Sequence, residues 1–110
     1  MISPTDGKLL KIHLRANVDH SGHDITFTLY NWDTDESWTN VNKSTLGVQS
    51  GTGPNTNNVT TYDFTSSLDS GTNAFTANEM IAISFANGTG PGSNVKYVVT
   101  AVFEFDWTSY

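Results

Sequence analysis

Apolar residues recur at every second position through much of this chain. The longest such run covers residues 95–107 and reads Val95, Tyr97, Val99, Ala101, Phe103, Phe105 and Trp107. A period of two is that of a β-strand, whose side chains point alternately to opposite faces. The run therefore predicts a long strand with one face fully buried. Its other face, Lys96, Val98, Thr100, Val102, Glu104 and Asp106, begins half apolar and ends charged, as if running out to a wet rim. An aromatic row of that length requires a second sheet opposite it.

Shorter runs share the period. Residues 8–16 place Leu10, Ile12 and Leu14 inward and Lys11, His13 and Arg15 outward. Residues 24–32 alternate Ile25, Phe27 and Leu29 with Thr26, Thr28 and Tyr30. Residues 59–64 form a short strand, and residues 80–86 point Ile81, Ile83 and Phe85 inward. Over residues 38–48 the apolar positions Trp38, Val41, Leu46 and Val48 keep no single phase, which predicts an edge or bulged strand. Gly, Pro, Asn and Asp punctuate the chain between these runs. They mark turns or loops at residues 3–7, 17–23, 31–36, 51–58, 66–73 and 87–93, the fourth of these an exposed loop. Asn78-Glu79 reads as a tight turn with Asn78 in the left-handed region. No helical pattern of three turns appears. The prediction is an all-β chain, one domain over residues 1–110. It is an antiparallel β-sandwich, jelly-roll-like, of seven to eight strands. Its expected core is Leu10, Ile12, Leu14, Ile25, Phe27, Leu29, Phe64, Ile81, Ile83, Phe85, Val99, Phe103 and Phe105.

Composition narrows the function. A chain of 110 residues can enclose one sandwich core and little else. The net charge of −6 argues against nucleic acid and anionic membranes as partners. No apolar run approaches a bilayer span, and Met1-Ile2-Ser3-Pro4 predicts no signal peptide. The absence of Cys fits folding in a reducing cytoplasm. Thr, Ser and Asn exceed a third of the chain, yet aromatics reach 12% at strand spacing. That combination describes a stiff core with polar faces rather than disorder.

The candidate chemistry is sparse. His20 and His23, flanked by Asp19 and Asp24, place two imidazoles and two carboxylates within six residues, and His13 is a third imidazole. Zinc needs three or four converging ligands, and a loop His-x-x-His lacks the spacing that aims both rings, so the segment reads as a solvated polar turn. Asp33, Asp35 and Glu36 lack the ligand number and the glycine of a calcium loop, and read as a solvated acidic loop. Neither segment predicts a cofactor or metal. There is no Gly-x-Ser-x-Gly elbow and no Cys nucleophile. Glu104 and Asp106 share a strand face but read as its wet end. No catalytic residue is assigned, and the chain is read as no enzyme. Trp32, Trp38, Tyr30 and Tyr62 lie near loops beside Asn and Asp, a composition suited to stacking on sugars. Trp32 and Trp38 are the candidate glycan-binding pair. The alternative for these rings is to cap the core or to fill a subunit interface.

The order of these features carries a resemblance. The segments are Ser3-Pro4-Thr5-Asp6-Gly7-Lys8-Leu9-Leu10-Lys11-Ile12, then Ile25-Thr26-Phe27-Thr28-Leu29-Tyr30, then Tyr62-Asp63-Phe64-Thr65. Phe75-Thr76-Ala77-Asn78-Glu79-Met80-Ile81-Ala82-Ile83 and Val102-Phe103-Glu104-Phe105-Asp106 follow. Together they resemble the small jelly-roll domains of tailed-bacteriophage virion proteins, over residues 3–107. Asn78-Glu79 stands where that pattern usually has Gly-Asp; both pairs give a turn followed by an acid. The resemblance implies a rigid, non-enzymatic part of a virion surface, made in the host cytoplasm and exposed on the particle. A homotrimer seated on a major capsid protein or another virion protein is the implied assembly. With no shaft-forming segment in the sequence, capsid decoration or a head-fibre part ranks above a fibre tip. Val98 and Val102, on the mixed face of the last strand, are the expected interface. The alternative is a receptor- or carbohydrate-binding head of a fibre, or a free carbohydrate-binding module, reading host surface glycan through Trp32 and Trp38.

Overall fold

The computed structural model describes residues 1–66, 68–87 and 95–109. Among them eight strands form two antiparallel four-stranded sheets packed as a β-sandwich. The strands are β1 (Gly7–Ala16), β2 (Asp24–Trp32), β3 (Ser44–Thr52), β4 (Val59–Asp63), β5 (Ser70–Gly71), β6 (Ala74–Phe75), β7 (Met80–Ala86) and β8 (Tyr97–Phe105). One sheet is built around β1, which pairs with β4 and β6 and, separately, with β8. The other runs β5-β3-β2-β7. Thus β1 pairs with β8 and β2 with β7 in nested fashion, as when one long hairpin is rolled up. The backbone of residues 1–3 adds to β7 at its start through an Ile2–Met80 bridge, and the Ser3 N–H donates to the Glu79 carbonyl at 2.9 Å.

The core is what the alternation placed between the sheets. Leu9, Ile12, Leu14, Ile25, Phe27, Leu29, Tyr62, Phe64, Phe75 and Ile81 pack together as one buried cluster. The expected strands at 8–16, 24–32, 59–64 and 80–86 are all present within a residue, and Asn78 is left-handed at φ 68°. The bulged strand is also present, but it lies at Ser44–Thr52, with Leu46 as the extra residue opposite Leu29 and Tyr30.

Several expectations are corrected. Leu10 is only half-buried, because it is the extra residue of a bulge between Leu9 and Lys11. A bulge resets the phase of a strand, so Leu9 and Ile12 both point inward and Leu9 takes the core place expected of Leu10. Residues 51–58 are not a wholly exposed loop: β3 continues to Thr52, and Gly53 and Pro54 are buried. Residues 66–73 contain β5, which pairs with β3. The last strand ends at Phe105, and Trp107–Ser109 form a 3-10 turn. Of the expected loop at 87–93, residues 88–93 lie outside the described residues.

The largest correction concerns that last strand. Its inner row is not fully buried. Val99 is 41% exposed, Phe85, which meets Tyr97 from the other sheet, is 37% exposed, and Ile83, Phe103 and Phe105 are half-buried. The reason is lateral position. β7 and β8 are the edge strands of their two sheets on the same side of the sandwich, and no further strand covers them among the described residues.

Candidate functional site

The open side between β7 and β8 is the most distinctive surface of the molecule. Phe85 and Tyr97 meet across it, edge to face, with ring centroids 5.0 Å apart. Phe103 packs on Phe75 at 5.9 Å and on Phe105 at 6.0 Å. Beside Phe103 the two sheets leave an apolar cleft of about 270 Å³ lined by Met1, Met80, Ile81, Ala82 and Ile83. On the outer face of β8, Val98 is 63% exposed and Val102 half-buried. The two expected interface residues therefore lie next to the open side, on the same strand.

The backbone of β8 completes this surface. At one end the Asn17 N–H donates to the Lys96 carbonyl at 3.2 Å; at the other the Asp106 N–H donates to the Asp6 carbonyl at 2.8 Å. Residues bonded to a given neighbour alternate along an antiparallel strand. The bulge sits on β1, so β8 keeps its phase between these two points. Residues 98, 100, 102 and 104 turn their backbone groups toward β1. Tyr97, Val99, Ala101 and Phe103 turn theirs toward the side where β8 has no strand partner among the described residues. Unpaired edges of this kind are templates for another strand.

One end of the open side is pinned by polar groups. His20 is fully buried, not a solvated turn residue. Its Nδ1 lies 2.8 Å from the Val18 carbonyl and its Nε2 lies 2.8 Å from the Tyr97 hydroxyl. A carbonyl only accepts, so Nδ1 carries the proton, and the Tyr97 hydroxyl donates to Nε2. The Asn87 amide in turn donates to the Tyr97 oxygen at 2.7 Å. Both His20 nitrogens are thus occupied within the protein. A side chain on Gly53 would sit 2.5 Å from the His20 Cβ, which is why glycine stands there. Among the described residues no group of three or more His, Cys, Asp or Glu converges as a metal site. Asp33 and Asp35 are exposed, and the Asp33 N–H donates to the Glu36 carboxylate at 3.1 Å.

A second polar cluster anchors the start of β7. Glu79 is buried and accepts from the Thr76 hydroxyl, from the Thr76 N–H at 2.7 Å and from the Asn31 amide. Burial pushes its carboxyl up, but these hydrogen bonds together outweigh burial and hold it below the ordinary value. The Thr76-x-x-Glu79 spacing, which resembles that of a capping box, is a signal that sequence reading missed. His20 had no comparable signal, since the partners of its ring are a local carbonyl and a hydroxyl 77 residues away in sequence.

The aromatic candidates separate. Trp32 is buried, with its indole N–H donating to the Thr39 carbonyl at 2.8 Å. Tyr62 is 3% exposed, and its hydroxyl donates to the Thr52 carbonyl at 3.0 Å. Tyr30 is half-buried beneath the Lys43 ammonium, 4.2 Å from its ring centroid. Trp38 alone of the four is largely exposed, at 63%. Trp32, Tyr62 and Tyr30 are therefore held by the fold, and only Trp38 presents its ring to solvent. Glu104 and Asp106 line a shallow groove of about 530 Å³ with Asp6, Lys8 and Phe105. Hydrogen bonds from the Thr108 hydroxyl and N–H hold Asp106 below the usual carboxylate range. That is the opposite direction from the raised value a glycosidase acid needs. The chain matches no family model, no curated protein and no solved structure.

Proposed function

We propose that this protein is a non-enzymatic structural component of a bacteriophage virion. It decorates or stabilises the capsid surface, or forms part of a fibre, by making contacts with other subunits. The observation that carries this reading is the open side of the sandwich. A rigid 110-residue domain leaves a row of aromatic and β-branched side chains half-exposed along an unpaired strand edge. Exposed apolar surface joined to an unpaired edge is costly for a free monomer and useful in an assembly. The resemblance over residues 3–107 supplies the virion setting, and a homotrimer is the association it implies. The partners in this reading are further copies of the chain and a major capsid or other virion protein.

Quantitative mass spectrometry of purified particles tests the reading. A decorating protein is expected in copy numbers that scale with the capsid lattice. A few copies per particle would place it at a fibre, and absence from particles would end the virion reading.

A further inference from the structure

From the edge of β8 we infer that the chain pairs with a second copy of itself. Two β8 strands join antiparallel about a two-fold axis at Thr100 and merge the two β1 sheets into one. This inference rests on the reading that subunit contacts are how the molecule works, and it names the contact.

The register follows from the strand itself. Pairing about Thr100 sets Lys96 opposite the partner's Glu104 and Val98 opposite the partner's Val102 on the outer face. On the inner face it sets Tyr97 opposite the partner's Phe103 and Val99 opposite the partner's Ala101. Every inner-face pair joins residues whose backbone groups already point away from β1, so the ladder forms without disturbing the one that exists. The outer-face pairs are Thr100 with the partner's Thr100 on the axis and, each made twice by the symmetry, one opposite-charge pair and one β-branched pair. Shifting the axis by one residue, to Ala101, keeps a charge pair, Lys96 with the partner's Asp106, but sets Val98 against the partner's Glu104 and loses the apolar match. The strand is therefore complementary to itself in charge and in apolar character in one register.

The distribution of basic residues favours approach through this sheet. The chain carries −6, so two copies repel in general. Four of its five basic residues lie in or beside this sheet: Lys8, Lys11 and Arg15 on β1 and Lys96 before β8. Glu104 already stands opposite Lys8 within one copy, and the partner's Lys96 would flank it on its free side. The join also sets Phe103, which lines the apolar cleft, beside an aromatic ring rather than solvent. A two-fold contact of this kind closes at two copies, so it predicts a dimer where the resemblance implies a trimer.

Sedimentation velocity over a concentration series tests the inference on the intact chain. The expected species has twice the 12.0 kDa mass of one chain. Lys96→Glu and Glu104→Lys each place like charges opposite one another twice and are expected to weaken the dimer about tenfold or more. The double variant restores the pairing across the axis and is expected to bind more tightly than either single variant, a rescue that loss of folding does not produce. Val99→Pro removes an outward N–H and no bond to β1, and is expected to give a monomer with an unchanged circular-dichroism spectrum. A trimer, or a dimer indifferent to all these changes, overturns the inference and leaves the proposed function standing. A monomer at every concentration overturns the inference together with self-association as part of that function.

Discussion

The two long sides of this sandwich are built from the same kind of strand and behave differently. On one side β3 and β4 close over the core. The Gln49 amide donates to the Asp63 carbonyl at 2.8 Å, and the Tyr62 hydroxyl bonds the Thr52 carbonyl. Gly51 lets the Tyr62 ring lie flat against β3, since a Cβ there would stand 3.2 Å from it. Phe27 and Tyr62 pack at 5.0 Å beneath. Burial, with a smaller contribution from the Asp24 charge, pushes the Tyr62 phenol up to about 12. On the other side β7 and β8 face each other across Phe85, Tyr97 and Phe103, and the apolar row stays half-exposed. What differs is not hydrophobicity but closure: one side ties its two strands together with side-chain hydrogen bonds over a buried ring, and the other leaves its apolar row half-exposed.

The sharpest way to break this comparison is to truncate one aromatic on each side. Phe64, 1% exposed, belongs to the closed side; Phe64→Ala is expected to cost about 3–5 kcal/mol in urea unfolding at low protein concentration. Phe85→Ala removes a ring already 37% exposed and is expected to cost about 1–2 kcal/mol. Equal costs would mean that the β7–β8 side is as well covered as the β3–β4 side. A cost for Phe85→Ala that grows with protein concentration would show that a second copy covers the ring.

The pinned end of the open side gives the next effect. Tyr97→Phe keeps the ring against Phe85 but removes the hydroxyl that donates to His20 Nε2 and accepts from Asn87. It leaves a buried acceptor unpaired, which costs about 1–3 kcal/mol. The measurement is the urea midpoint of the variant against wild type. A cost within error of zero would show that the His20 cluster does not hold the two edges in place.

These differences mark what the sequence could tell. The period of two located the strands and named their inward faces, because alternation is a property of each strand alone. It did not reveal how well a face is covered, because coverage depends on which strands are neighbours. Val99 and Leu14 carry the same local pattern and are paired with each other, yet Leu14 is fully buried in a central strand and Val99 is exposed at an edge. The bulge at Leu10 was hidden for a related reason, since an extra residue is visible only against the partner strand, whereas the bulge at Leu46 showed in the sequence as a broken phase. Of the candidate surface, Val98 and Val102 were legible from the mixed outer face of the last strand. His20 was misread as solvated, since a polar loop sequence does not show that its side chains are folded back onto the protein, and for Trp32 the sequence left glycan stacking and core capping both open.

A smaller effect separates the polar anchor of β7 from the open edge beside it. Glu79 is held below its ordinary value of 4.5 in the folded state, so its contribution to stability is present above that value. It is lost as pH falls through the lower folded value, because the unfolded chain then binds the proton more readily. Glu79→Gln is expected to cost about 1 kcal/mol near neutrality. The cost stays modest because the Asn31 Oδ1, buried without a partner, can accept from the new amide once the Asn31 side chain turns over. As pH falls from 4.5 through the lower folded value the variant and wild type are expected to converge, since Glu79 is then protonated and neutral like Gln. Parallel stability profiles that never converge would remove Glu79 from the acid response.

The smallest expected effect belongs to Trp38, which stands apart from both sides of the sandwich. Its ring is 63% exposed and lies in the loop between β2 and β3, so Trp38→Ala is expected to change stability by less than about 0.5 kcal/mol. The loop is fastened by its neighbour Trp32 instead, through the bond to the Thr39 carbonyl. That division makes Trp38 a clean probe of the glycan-binding alternative, because the substitution removes a stacking surface without loosening the fold. Glycan-array binding by the wild-type chain that disappears in Trp38→Ala would assign recognition to this loop and leave the β8 edge to assembly. Retained assembly with no glycan signal in either protein would leave the edge strand as the surface through which the molecule acts.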